Sequence, residues 1–150
     1  MNLTSKSISA YLTADEWIET DHPLVRETAE RLGDVRAAYH FVRDEISHSW
    51  DVQAIEVTSK ASEVLMAGHG ICYAKSHLLA ALIRALGVPC GIAYQRLTLF
   101  DEPEDGHSVH ALNTVYLAEW ARWIRLDARG NKPGVDARYS EEQEFLAFPV

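Results

Sequence analysis

Gly70-Ile71-Cys72-Tyr73-Ala74-Lys75-Ser76-His77-Leu78-Leu79-Ala80-Ala81-Leu82-Ile83-Arg84-Ala85-Leu86-Gly87-Val88-Pro89 is the stretch on which the fold turns. A glycine at its entry, an Ala- and Leu-rich run, and an exit at Gly87 with Pro89 just beyond predict a helix over 71–86. Apolar residues fall on nearly every side of it, the pattern of a helix buried centrally. Lys75, Ser76, His77 and Arg84 are the polar exceptions.

Upstream, the chain reads as helical. Thr13 followed three residues later by Glu16 has the form of a capping box. A second helix is expected to open near Asp21, with Pro23 early in it, and to run over 21–46. Leu24, Ala29, Leu32, Val35, Ala38, Tyr39 and Val42 give it one apolar stripe, and Gly33 offers a point at which it divides in two. A short helix over 60–66 precedes the turn at Gly68-His69-Gly70. Downstream the period changes to that of strands, expected over 91–100, 109–117 and 123–127. The acidic loop 101–105 separates the first two, and 129–134 is a turn. Helices first and strands later imply an α+β fold, and 150 residues suit a single domain over 1–150.

The charge balance, 14 Lys+Arg against 22 Asp+Glu for a net −8, argues against nucleic acid or an anionic membrane surface as partner. The polar stretch 1–10 does not have the form of a signal peptide, and no apolar run reaches the length of a spanning helix. With only two cysteines, the expectation is a soluble cytoplasmic protein with both thiols reduced.

Cys72 sits at the first turn of the central helix. Free N–H groups and the helix dipole stabilise an anion there, so a thiolate at that position has a lowered pKa and is a better nucleophile at neutral pH. Gly70 would let another chain approach the sulfur closely. Taken alone, Cys72 is better read as a small buried apolar residue. Cys90, with no helix start behind it, reads as structural. His110 and Asp127 lie on the last two expected strands. If their hairpin is symmetric about the Ala118–Glu119 bond, through a four-residue loop over 117–120, the two stand directly opposite each other on one face. A carboxylate so placed holds an imidazole in one tautomer and stabilises its charged form.

The stretch from Gly70 through Lys75, the helix running into Gly87-Val88-Pro89, His110, and Trp123-Ile124-Arg125-Leu126-Asp127 together resemble the transglutaminase-like superfamily. That resemblance implies a papain-like core, helices packed on an antiparallel sheet with the cysteine helix between them. It also implies Cys72 as nucleophile, His110 as general base and then acid, and Asp127 as its orienting partner. The shared chemistry is attack on an amide carbonyl and release of a thioester by water or an amine. The acyl donor would be a peptide or protein amide. The oxyanion would be held by the Cys72 N–H and a second donor, for which Tyr94, Gln95 and His69 are candidates beside Gly70. Neither a calcium loop nor paired CxxC motifs is present, so no metal and no cofactor is expected.

Two other readings use the same residues. His69, Cys72, His107 and His110, with His77 nearby, are zinc-capable, but His107 and His110 on one strand point to opposite faces. A fold of this family that only binds a peptide needs no triad. Trp50, Trp120 and Trp123 suit a peptide groove under either reading, and His48 with Asp51 reads as loop structure.

Overall fold

The computed structural model describes residues 8–98 and 107–148, so the acidic loop 101–105 lies outside the described residues. Four α-helices come first among them, α1 Pro23–Leu32, α2 Val35–His40, α3 Ala61–Ala67 and α4 Cys72–Ala85, interleaved with β1 Ser47–His48 and β2 His69–Gly70. The strands β3 Cys90–Thr98, β4 His107–Leu117 and β5 Arg122–Leu126 follow and form an antiparallel sheet in the order β3-β4-β5. The architecture is α+β, as the sequence implies.

Helix α4 is the centre. Leu78, Leu79, Ala80, Ala81, Leu82 and Ile83 are all fully buried. The helix packs against α1 and α3 on one side and against β3 and β4 on the other. Each large aliphatic side chain withdrawn from water there stabilises the fold by about 1.5–3 kcal/mol. Even its polar exceptions are used inside. The Arg84 guanidinium donates to Cys90 O at 2.7 Å and Thr13 O at 2.7 Å. Asn113 of β4 donates to Ser76 O at 3.0 Å.

The upstream helices differ from the sequence reading in detail. Gly33 ends α1 at φ 87°, and the Asp34 carboxylate caps α2 by accepting from Ala37 N at 2.7 Å. One long helix over 21–46 thus becomes two, followed by a π turn over Phe41–Glu45. No helix forms at Thr13–Glu16. Asp15 instead accepts the N–H groups of Trp17 and Ile18, a side-chain turn that competes with helix there.

The β4–β5 hairpin is displaced from the expected register. Leu117 pairs with Arg122 and Asn113 with Leu126, so the loop comprises residues 118–121. His110 faces Gln95 of β3, and Asp127 comes just after the end of β5. The displacement amounts to two residues, which leaves every side chain on its expected face.

Candidate active site

Three local devices deliver Cys72. β2 pairs in parallel with β1, and Ser47 N and Ser49 N donate to Gly68 O and Gly70 O, each at 3.0 Å. This fixes the chain entering α4. Gly70 is needed because a Cβ there would stand 3.0 Å from Ala74 Cβ and 3.2 Å from Thr58 Oγ1. The sequence reading gave Gly70 to an approaching substrate, but the space beside it is filled by the protein's own α3 and α4. Ile71 then leads in with extended ψ, and Lys75 N donates to Ile71 O at 2.9 Å to start the helix at Cys72.

His110 and Asp127 meet as neighbours offset along the strands, a separation that long side chains span. His110 Nε2 lies 2.7 Å from Asp127 Oδ2, and both residues are buried, 4% and 1% exposed. The other ring nitrogen is left free of Asp127, and the electrostatics of the site couple His110 to the Cys72 thiol. Ala111 N donates to Cys72 Sγ at 3.5 Å. Burial opposes ionisation of this half-buried thiol, but hydrogen bonds from His110 and from the N–H groups of Ala111 and Tyr73 outweigh it, and its pKa falls below the ordinary value. Burial likewise opposes charge on His110, yet its bonds to Asp127 and Cys72 prevail and push it up to about 9. Thiolate and imidazolium therefore stabilise each other. Cys90, fully buried, has its thiol pushed up to about 12 by burial.

Asp127 is itself held from several directions. Arg129 N donates to Oδ1 at 3.2 Å, Ala147 N donates to Oδ2 at 3.0 Å, and the Tyr39 hydroxyl donates to its carbonyl at 3.0 Å. The Phe148 ring stands edge-on to His110, centroids 5.0 Å apart. Neither Ala147 nor Phe148 was identified from sequence, since nothing in the tail has a period. Lys75 carried a signal as a charge on a buried helix. Its Nζ donates to Arg129 O at 2.7 Å, bracing the loop that carries Asp127. Arg129 in turn makes a two-point ion pair with Asp51, at 2.8 and 3.0 Å, and Lys132 joins at 3.1 Å. These bonds, Arg129's first, hold Asp51 well below the usual carboxylate range. Asp51 thus serves Arg129 and Lys132. His48 Nδ1 accepts Trp50 N, and burial moves this imidazole down to about 4.

The remaining sequence candidates make contacts of their own. Tyr94 is exposed, its ring 5.9 Å from that of Tyr73. Gln95 is buried and donates to Phe148 O at 3.1 Å, with its Oε1 unpartnered. His69 Nδ1 lies 3.0 Å from Ser49 Oγ, and its Nε2 is 3.8 Å from Glu56. His77 Nδ1 lies 2.8 Å from Ser59 O, and its ring stacks on Trp17. Among the described residues no group of three or more His, Cys, Asp or Glu is arranged to hold a metal ion, and the His107 side chain is outside them.

A sequence profile of the transglutaminase-like superfamily matches residues 18–128, the span that holds all three of Cys72, His110 and Asp127. The chain belongs to the transglutaminase-like superfamily. Solved structures share its fold. A candidate cysteine protease from Cytophaga hutchinsonii is 18% identical with a TM-score of 0.64, over 86% of this chain and 45% of its own. The periplasmic domain of TgpA from Pseudomonas aeruginosa is 15% identical with a TM-score of 0.58, over 83% and 48%. A TGase is 18% identical with a TM-score of 0.54, over 95% and 37%. The chain thus spans less than half of each of these relatives. Comparison with curated protein sequences finds no match. No helix among the described residues is long and apolar enough to cross a membrane.

The buried Lys75 makes stability depend on pH in a definite sense. Burial, with the Arg129 charge adding to it, moves the ammonium down to about 7, against the pull of Asp127, Asp51 and Asp44. Between that value and the ordinary lysine range the unfolded chain binds a proton that the folded one does not, so this group makes stability rise with pH. From pH 7 to 9 the wild type is expected to gain about 2 kcal/mol relative to Lys75→Met. Urea midpoints of both proteins at the two pH values measure it.

Proposed function

We infer that this transglutaminase-like protein is a cysteine-dependent amide hydrolase or acyl transferase, with Cys72, His110 and Asp127 as its triad. The observation that supports it most is the buried 2.7 Å contact of Asp127 with His110, coupled electrostatically to a thiol at the start of α4 whose pKa it lowers. In the reaction the Cys72 thiolate attacks an amide carbonyl, forming the S–C bond and placing the electron pair on oxygen. The Cys72 N–H, in the first turn of α4 where N–H groups lack helical acceptors, is suited to that oxyanion. Collapse expels the amine, which takes its proton from His110, and leaves a thioester. Water or an amine then attacks, His110 accepts its proton, and Cys72 departs as thiolate. Asp127 keeps the imidazole oriented and stabilises its charge throughout. Two free cysteines suit a cytoplasmic setting.

The test is direct trapping. Incubation with a library of peptide amides at mildly acidic pH, where thioesters persist, is expected to give an acyl adduct on Cys72 by peptide mass mapping. Cys72→Ser should give none. Peptide turnover that survives in Cys72→Ser, or no adduct with an unreactive thiol, leaves a non-catalytic binding module as the reading.

A further inference from the structure

The loop between β1 and α3 presents apolar side chains to water on a framework that is itself well tied down. Ile55 is 98% exposed, Val57 85% and Trp50 79%. Their backbone does not hang free. Ala54 N donates to Ser49 O at 2.9 Å, Thr58 Oγ1 donates to His69 O at 2.9 Å, and Asp51 is locked to Arg129. An ordered loop that keeps bulky apolar groups in water marks an interaction site. Together with Ile71 these side chains enclose a groove of about 600 Å³, within the size range of specific ligand sites.

Two features say what would fill it. Ile71 forms part of the groove wall and is the residue immediately before Cys72, so one wall of the groove leads directly along the chain to the residue that carries the sulfur. A chain whose carbonyl lay on Cys72 would pass over it. Glu56 is the one ionisable residue lining the groove, on a protein of net charge −8. Its carboxylate lies 3.8 Å from His69 Nε2 and is largely exposed. An acidic segment would meet repulsion there, and an apolar one would not.

We propose that this groove selects the acyl donor by seating a bulky aliphatic or aromatic side chain of an extended, non-acidic peptide segment. The proposal rests on the cysteine amidase reading and gives it a substrate class. Trp50, Ile55 and Val57 are then specificity-determining residues.

Matched acetyl-X-glycyl vinyl sulfones, with X as Phe, Leu, Gly or Glu, test it by their labelling rates at Cys72. The Phe and Leu probes are expected to exceed the Gly probe by about tenfold or more, and the Glu probe to fall below it. In Ile55→Asp with Val57→Asp the ratio of Phe to Gly rates should approach one. Both side chains are exposed, so the variant is expected to fold. Titration of N-acetyl-Phe-Gly-amide by calorimetry reads the groove independently of Cys72, with heat in the wild type that the double variant loses. Equal probe rates with fast iodoacetamide labelling would overturn the groove and leave the triad standing. Slow iodoacetamide labelling with peptide binding intact would overturn the triad alone. Absence of heat, heat unchanged in the variant, or a concentration-dependent dimer that Ile55→Asp dissociates would overturn the groove assignment.

Discussion

His110→Ala is expected to slow alkylation of Cys72 by iodoacetamide at pH 6 about tenfold or more. The substitution removes the cation and the hydrogen bond that hold the thiol down, and it leaves the burial that raises it. Cys72 then returns to or above the ordinary thiol range, where the thiolate at pH 6 is below about 1% of the total. A less acidic thiol is a stronger nucleophile once ionised, which recovers part of the loss. The difference should therefore narrow towards pH 9. Peptide mapping across pH 5–9 gives the rates. A slowing of less than about threefold at pH 6 would show that His110 does not control the thiol. For turnover the wild type should also lose activity as pH rises through about 9, because His110 there gives up the proton that the leaving amine needs.

Asp127→Ala should cost both stability and reactivity. The carboxylate accepts from His110, from Arg129 N and from Ala147 N in a site excluded from water. Alanine leaves those donors without a partner, and each unsatisfied buried group costs about 1–3 kcal/mol. A total near 3–5 kcal/mol is expected from urea unfolding. Asp127→Asn keeps the shape but offers a single acceptor oxygen. If that oxygen serves His110 and Ala147, the amide NH2 faces the Arg129 N–H, donor against donor. It should lie between wild type and alanine in stability, with the His110 pKa lowered and Cys72 labelling at pH 6 slowed. Unchanged stability in Asp127→Ala would mean that the junction at this carboxylate is not made.

The parts of the fold written in local chemistry are those the sequence discloses. Helix α4 was expected over 71–86 and spans Cys72–Ala85, because glycine at both ends and an unbroken apolar run fix it locally. The hairpin register was not so fixed. Ala118 and Glu119 carry no turn signal, and the turn instead places Ala121 at φ 48°, a conformation alanine rarely signals. His110 and Asp127 nonetheless fall on one face in both registers, since an even displacement preserves facing. What sequence could not supply are contacts between distant segments without a period. Ala147 reaches Asp127 from 20 residues away, and Tyr39 reaches it from 88. Ile55 and Val57 carry no helical or strand pattern that would mark a groove wall, although Trp50 is legible as a candidate groove residue.

The opposite settings of the two thiols give the molecule a built-in record of its own folding. Unfolding normally makes a cysteine easier to modify, and Cys90, sealed in the core, follows that rule. Cys72 inverts it, because its acidity is created by groups that the native topology alone brings together. Near pH 6 a denaturing chain should therefore grow less reactive at one sulfur while growing more reactive at the other. The ratio of the two labels then distinguishes a native population from a collapsed one that has kept its helices but lost the meeting of Tyr39, Asp127 and Ala147.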